Sequence, residues 1–274
     1  MAVSVDCKFQ QAHAQRGPDQ MSVFRISSAF AVVALMLAAA GAASAETLRV
    51  YGPGGPAPAM KELAAAFGAS TGHAVEITAG PTGNWLAKAK LDADVVFSGS
   101  ENMMLGFITA FEDQIDRKSV EPLYLRPSAI LVRKGNPKGI KGVRDLTRPG
   151  IGILVTEGAG QVGMWEDVAG RTGELKLIKE FRANILEFAA NSGLALQSWK
   201  QKPEIDAWLI WNHWQIANSD IADLVTIEPE LTIWRSTDAA LTKRGAQNPA
   251  SAAFVAYLKS AAGEATFKKW GWRR

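Results

Sequence analysis

The sequence predicts an α/β protein of two lobes, each built on a mixed, mostly parallel sheet covered by helices. Three observations predict it. Strand-like apolar runs alternate with helical periodicity along most of the chain, a Gly/Lys-rich connection interrupts that alternation midway, and the residues left after an N-terminal leader outnumber a usual single domain.

The leader comes first. Met21 is followed by Arg25, the apolar run Ala29–Ala40 and the small residues Gly41–Ala45, the three parts of a cleavable signal peptide with an A-x-A site. Cleavage is expected after Ala45, which makes 21–45 the signal peptide and the protein an exported, periplasmic one. The apolar run falls short of the ~20 residues of a permanent membrane helix. Residues 1–20 carry mixed charges and no periodic pattern, and are set aside with the leader.

Of the 274 residues, 229 remain (274 less 45), with 27 basic and 25 acidic side chains and a net charge of +2. So small a charge supplies neither the basic face that nucleic acid requires nor a polybasic membrane contact. Cys7, the only cysteine, lies in the part removed. A disulfide, a thiolate zinc site, cysteine catalysis and a lipid anchor on cysteine are therefore excluded from what remains.

The exported chain opens with strand Thr47–Tyr51, which breaks at the Gly/Pro cluster 52–56. Met60, Leu63, Ala64 and Phe67 then recur at i, i+3, i+4 and i+7, the mark of a helix with one buried face, and Gly72 stops it. Strand Ala74–Thr78, loop Gly80–Asn84, a short helix over Trp85–Leu91, strand Asp94–Phe97, loop Ser98–Ser100 and a helix over Asn102–Phe111 continue the pattern. Ala129–Arg133 is extended, and Lys134–Thr147 marks passage into a second lobe. There the alternation resumes: strand Ile151–Val155, helix Gly160–Ala169, strand Ile185–Phe188, helix Ser192–Lys200, strand Ala207–Trp211, helix His213–Asn218 and strand Leu224–Ile227. Leu231–Trp234 and Ala239–Leu241 form the return passage, and Pro249–Ser260 and Thr266–Trp270 supply closing helices.

Parallel α/β sheets place ligands beyond the carboxyl ends of their strands. In this sequence those ends carry one kind of loop: Gly54 and Gly55; Thr82, Gly83 and Asn84; Ser98 to Ser100; Thr156 to Gly160; and Asn191 to Gly193. All are small and rich in neutral donors. A strand that runs through such a loop into a helix presents free N–H groups at the positive end of the helix dipole, which suits a compact anion. Each loop alone reads as a helix cap; their recurrence at one edge of both lobes reverses that reading in favour of a binding site.

Gly158, Gly160 and Gly163 spell a GxGxxG between a strand and a helix. The loop lies mid-chain, Thr156 and Glu157 intervene after the strand, and the leader directs the protein away from soluble dinucleotides, so the glycines read as close backbone approach to an oxyanion. Enzyme constellations are poor. His73 and His213 are the histidines left after cleavage, neither in a metal spacing, and no GxSxG elbow occurs. No catalytic residue, metal or cofactor is expected. The stretch 206–215 holds Trp208, Trp211 and Trp214; Trp208 fills the core, whereas Trp211 and Asn212 fall where strand becomes helix and are placed to face a cleft.

The segments VYGPGG, ADVVFSGSE, TEGAGQVGMWED, NSG, DAWLIWNHWQ and FKKWGW resemble periplasmic solute-binding proteins of the molybdate and sulfate class, above all the accessory colonization factor C group. The resemblance implies a type II periplasmic binding protein fold with a two-strand hinge. Lobe I would comprise 46–127 with 237–274, and lobe II 128–236. It further implies a monomer that captures a tetrahedral oxyanion such as molybdate or sulfate between the lobes and presents it to an ABC-type permease. Molybdate-binding members are expected to use a serine or amide in the first loop, a second-loop serine, amides of the other lobe and a tyrosine. Gly55, Thr82 or Gly83, and Trp211 stand at those places, and Glu157 adds a charge beside them. The expected ligand set is Gly54, Gly55, Thr82, Gly83, Asn84, Ser98, Glu157, Gly158, Ala159, Gly160, Ser192, Trp211 and Asn212. A small organic acid or amino acid, taken up or sensed in chemotaxis or colonization, is the alternative ligand; a hydrolase or transferase on the same scaffold is the rival from another class.

Overall fold

A computed structural model describes residues 47–274; the leader at 21–45 and the segment before it lie outside the described residues. Strand β1 (Leu48–Gly52) leads into helix α1 (Ala57–Thr71), followed by β2 (Val75–Ala79), α2 (Leu86–Asp92), β3 (Val95–Phe97) and α3 (Glu101–Ala110). In α1 the apolar face predicted from spacing is the buried one: Met60, Leu63, Ala64 and Phe67 all face the core. Gly72 ends the helix at φ 78°, donating its N–H to Gly68 O, a left-handed cap that glycine adopts without steric cost.

Next come the long strand β4 (Glu121–Arg133), then β5 (Ile153–Thr156), α4 (Met164–Gly170), α5 (Leu175–Asn184), β6 (Ile185–Ala189), α6 (Ser192–Gln201), β7 (Ala207–Trp211) and the single turn α7 (His213–Ile216). The chain finishes with β8 (Ala222–Thr226), β9 (Trp234–Leu241), α8 (Pro249–Leu258) and α9 (Ala261–Lys269).

The strand order is β2-β1-β3-β9-β4-β7-β5-β6, with β8 also on β4. β1 pairs in parallel with β2 and β3, and β5 with β6 and β7, as strands joined by helical crossovers do. β9 and β4 run antiparallel to their neighbours, so the sheet is mixed. β4 is shared: Glu121–Pro127 pairs with β9, whereas Ser128–Arg133 pairs with β7 and β8. Beside this changeover Ser128 N–H donates to Ile233 O, and Ile233 N–H donates to Ser128 Oγ, so a second strand of chain crosses at the same level.

The apolar cores divide at this line. One cluster draws only on residues between Ile130 and Ile233, around Trp199, Trp208 and Trp211. Two others draw on residues from Leu48 to Tyr124 and from Ala239 to Trp272, on either side of the first sheet. The chain thus forms two lobes on one continuous run of strands.

Among the elements that differ from the sequence expectation, three do so for a plain physical reason. The helix expected from Gly160 begins at Met164, because Gly163 takes φ 70° and the residues before it form turns. α5 carries Lys176, Lys179, Glu180 and Arg182, a charge density that hides its buried Leu177 and Phe181. β4 begins at Glu121, eight residues before the expected extended segment, because Pro122 and Pro127 mask a strand that nonetheless pairs with β9.

Candidate functional site

The carboxyl ends of β1, β2, β3, β5, β6 and β7 converge on a cavity of about 410 Å³. Its walls come from both lobes. Pro53–Pro56, Gly80–Thr82, Gly99 and Met103 belong to the first; Gly158–Gln161, Ala190–Gly193, Trp211, His213 and Trp214 belong to the second, and Arg126 lies between. A wider depression of about 540 Å³, bounded by Glu101, Leu125, Val162, Trp234 and Arg235, meets these loops only at Val162.

Of the residues expected to hold a ligand, Gly54, Gly55, Thr82, Gly158, Ala159, Gly160, Ser192 and Trp211 line the cavity. The backbone N–H groups of Gly54, Gly55, Gly158, Ala159 and Gly160 have no hydrogen-bond partner among the described residues. Unpartnered N–H groups from two facing loops create a concavity of positive potential. Ser192 Oγ lies 3.3 Å from the Gln161 side-chain amide, and Trp211 Nε1 donates to Gly160 O at 3.2 Å, which fixes the loop after β5 against β7.

Five expected residues face elsewhere. Gly83 and Asn84 are exposed on the turn after Thr82, and Glu157 is exposed on the loop after β5, where its N–H donates to Ala189 O. Asn212 Nδ2 donates to Gly271 O at 2.6 Å, so its amide ties α7 to the C-terminal segment. Ser98 is fully buried: its Oγ donates to Asp238 Oδ2 at 2.8 Å and its carbonyl accepts from Thr237 Oγ1 at 2.6 Å. A hydroxyl spent on a buried carboxylate is a clasp between β3 and β9 and is not offered to a ligand.

Arg126, which sequence reasoning passed over, is the charge at the centre. It is 2% exposed, and its guanidinium lies 4.4 Å from the Trp211 ring centre and 4.5 Å from that of Trp272. Nη1 donates to Ser236 O at 3.1 Å, Nη2 donates to Gly99 O, and Nε is buried without a partner. No carboxylate lies within ion-pair distance of it among the described residues. Burial first, and then the charge of Arg235, pull its pKa down to about 9, which leaves it a cation at neutral pH. The buried Asp238 carboxylate offsets its charge only from beyond ion-pair distance; a buried cation so weakly paired is costly, and an anion in the cavity would supply the close partner.

His213 begins α7 and is 5% exposed, with both ring nitrogens buried and unpartnered. The ring stacks on Trp272 at 5.4 Å, and its Nε2 lies 3.0 Å from where a Cβ on Gly55 would sit. Burial, and then the Arg126 charge, hold its pKa well below the usual histidine value. Asp238 is shifted the other way: burial raises its carboxyl above the ordinary range. Among the described residues no group of three or more His, Cys, Asp or Glu side chains is placed to hold a metal ion.

Two lobes on one shared strand, with a cavity walled by loops from both, define a two-lobed binding protein of the type II periplasmic kind. The profile of the bacterial extracellular solute-binding proteins matches residues 48–273, and the chain belongs to that family. Among solved structures, Peb3 from Campylobacter jejuni is 38% identical, covers 83% of this chain over 99% of its own and superposes with a TM-score of 0.77. PEB3 bound to L-phospholactate gives the same identity and coverage, 38%, 83% and 99%, with a TM-score of 0.78. The molybdate-binding protein of Azotobacter vinelandii shares the fold at 18% identity, 83% and 99% coverage and a TM-score of 0.64. No curated protein sequence matches the chain.

Proposed function

We propose that this protein captures a small anion between its lobes outside the cytoplasm and delivers it to a membrane permease, with no chemistry performed on it. The observation that carries this reading is Arg126, a buried cation that lines the cavity and has no carboxylate partner among the described residues. The unpartnered N–H groups of Gly54, Gly55, Gly158, Ala159 and Gly160, with the hydroxyls of Thr82 and Ser192, form the neutral part of the cradle. Closure would be selected by the ligand, because donors from both lobes reach it only together.

An organic anion with a phosphoryl or carboxyl group fits better than a bare tetrahedral oxyanion. Five heavy atoms occupy about as much space as five waters, each with a share of ~30 Å³, well short of the 410 Å³ present. The apolar surfaces of Met103, Trp211 and Trp214 in the wall also call for carbon. The complex of PEB3 with L-phospholactate, at 38% identity, supports the same class. The oxyanion reading keeps one argument, the run of neutral donors after β1 and β5. A thermal-shift panel separates the two, since a ligand that binds only the folded state raises the midpoint. L-phospholactate and related phosphorylated or carboxylic acids are expected to raise it, with molybdate and sulfate giving little. A large shift with molybdate alone would reverse the order, and no shift with any anion would refute the proposal.

The leader at 21–45 would route the chain to the periplasm, and the lobe boundaries near 127 and 236 would set the hinge. Edman sequencing of the exported protein is expected to begin at Glu46.

A further inference from the structure

His213 is a nine-tenths buried imidazole in the wall of the cavity with no partner for either nitrogen. The groups around it are few: Gly55 from the loop after β1, Trp214 on its own helix, Trp272 from the C-terminal segment and Arg126 from β4. Arg126 alone among them is charged, and both it and His213 pack against the Trp272 ring. The contact with Gly55 joins the two lobes, so parting the lobes opens the ring to water.

Resting on the anion reading of the cavity, we propose that ligand capture is coupled to a proton: an anion lodging beside Arg126 brings one proton from solvent onto a ring nitrogen of His213. No bond breaks; the lone pair of the ring takes the proton, and the site's charge rises by one as the ligand's negative charge enters. Three steps lead there. In the empty closed cavity a second positive charge beside Arg126 is repelled and cannot be solvated, which keeps the ring neutral. An anion cancels the repulsion and offers acceptor oxygens to a charged ring that the protein leaves without any. By linkage, what favours protonation on binding favours binding on protonation. Empty closure is thereby disfavoured in acid while liganded closure is not, so His213 makes closure depend on the ligand.

The test uses the purified protein with L-phospholactate as the probe. Only three histidines occur in the sequence, His13, His73 and His213, so the ring can be followed by nitrogen NMR and assigned by the signals lost in His213→Gln. Saturating probe is expected to move the His213 ring from the neutral to the imidazolium pattern between pH 6 and 7. Wild-type affinity should gain up to about tenfold per pH unit as pH falls through that interval, beyond any gain in His213→Gln, because one proton is linked. Subtracting the variant removes the probe's own phosphate titration. If the probe binds while the ring stays neutral from pH 7.5 to 5.5, the coupling is refuted and the anion site stands. If neither the probe nor sulfate binds wild type, the anion reading falls and the coupling with it. The NMR readout on wild type decides the matter even if His213→Gln does not fold.

Discussion

At the scale of single residues, two side chains carry opposite duties from similar burial. Arg126 is expected to be the affinity residue: Arg126→Gln should weaken anion binding by about 10- to 100-fold in calorimetry, the range of a lost charged hydrogen bond of about 1.5–3 kcal/mol. Ser98 is a structural clasp, so Ser98→Ala should lower stability by about 1–3 kcal/mol in chemical denaturation by leaving Asp238 without its donor, with anion affinity unchanged. Loss of affinity at full stability would return Ser98 to the ligand set. Sequence made Ser98 attractive because a serine after a strand end resembles a ligand donor, and only the burial of Asp238 opposite reveals the other use. Arg126 was legible in principle. Tyr124, Arg126, Ser128, Ile130 and Val132 share one face of β4 by the two-residue period, and all five are buried. Pro122 and Pro127 obscured the strand, and with it the period that places the arginine inside.

At the scale of elements, the loops after parallel strands were readable because they obey one rule: β1, β2, β5 and β6 each end in small residues that reach the cavity wall. The loop after β7 departs from it, since α7 turns inward at once and presents His213, while Asn212 is claimed by the C-terminal segment through Gly271. That partner is 59 positions away in sequence, a distance over which periodicity carries no information. An ion pair ties β9, just beside the return crossing, to the second lobe at the edge of the wider depression: Arg235 of β9 meets Asp167 of α4 at 2.9 Å. The pair is partly exposed and is worth at most about 1 kcal/mol. Asp167→Asn is expected to leave the thermal midpoint nearly unchanged while shifting the ligand-free protein toward a more open form by small-angle scattering. An unchanged radius of gyration would show that the pair plays no part in closure.

At the scale of the whole molecule, the α/β class was legible from alternation and the second lobe from the mid-chain connection and the length, whereas crossing strands were implied only by the family resemblance, because a strand that changes partners halfway leaves no mark in composition. Stability should follow the histidine ring. His213 is held below its unfolded value, so the unfolded chain binds more protons below about pH 6.5. Ligand-free stability is therefore expected to be full above that pH and to fall as pH drops through it toward the depressed folded value. Calorimetry between pH 7.5 and 5.5 checks this, and a flat midpoint would show the ring to be solvated. The shared strand bears on the order of events in capture. Arg126 stands two residues before Ser128, where β4 changes from β9 to β7 and β8. Displacement in a rotation grows with distance from the axis, so in a closure about this crossing the guanidinium would sit near the fulcrum while the glycine loops would travel on the rims. An incoming anion would meet the same fixed charge whether the jaws are open or shut, and the glycine loops would arrive afterwards, so that recognition precedes enclosure.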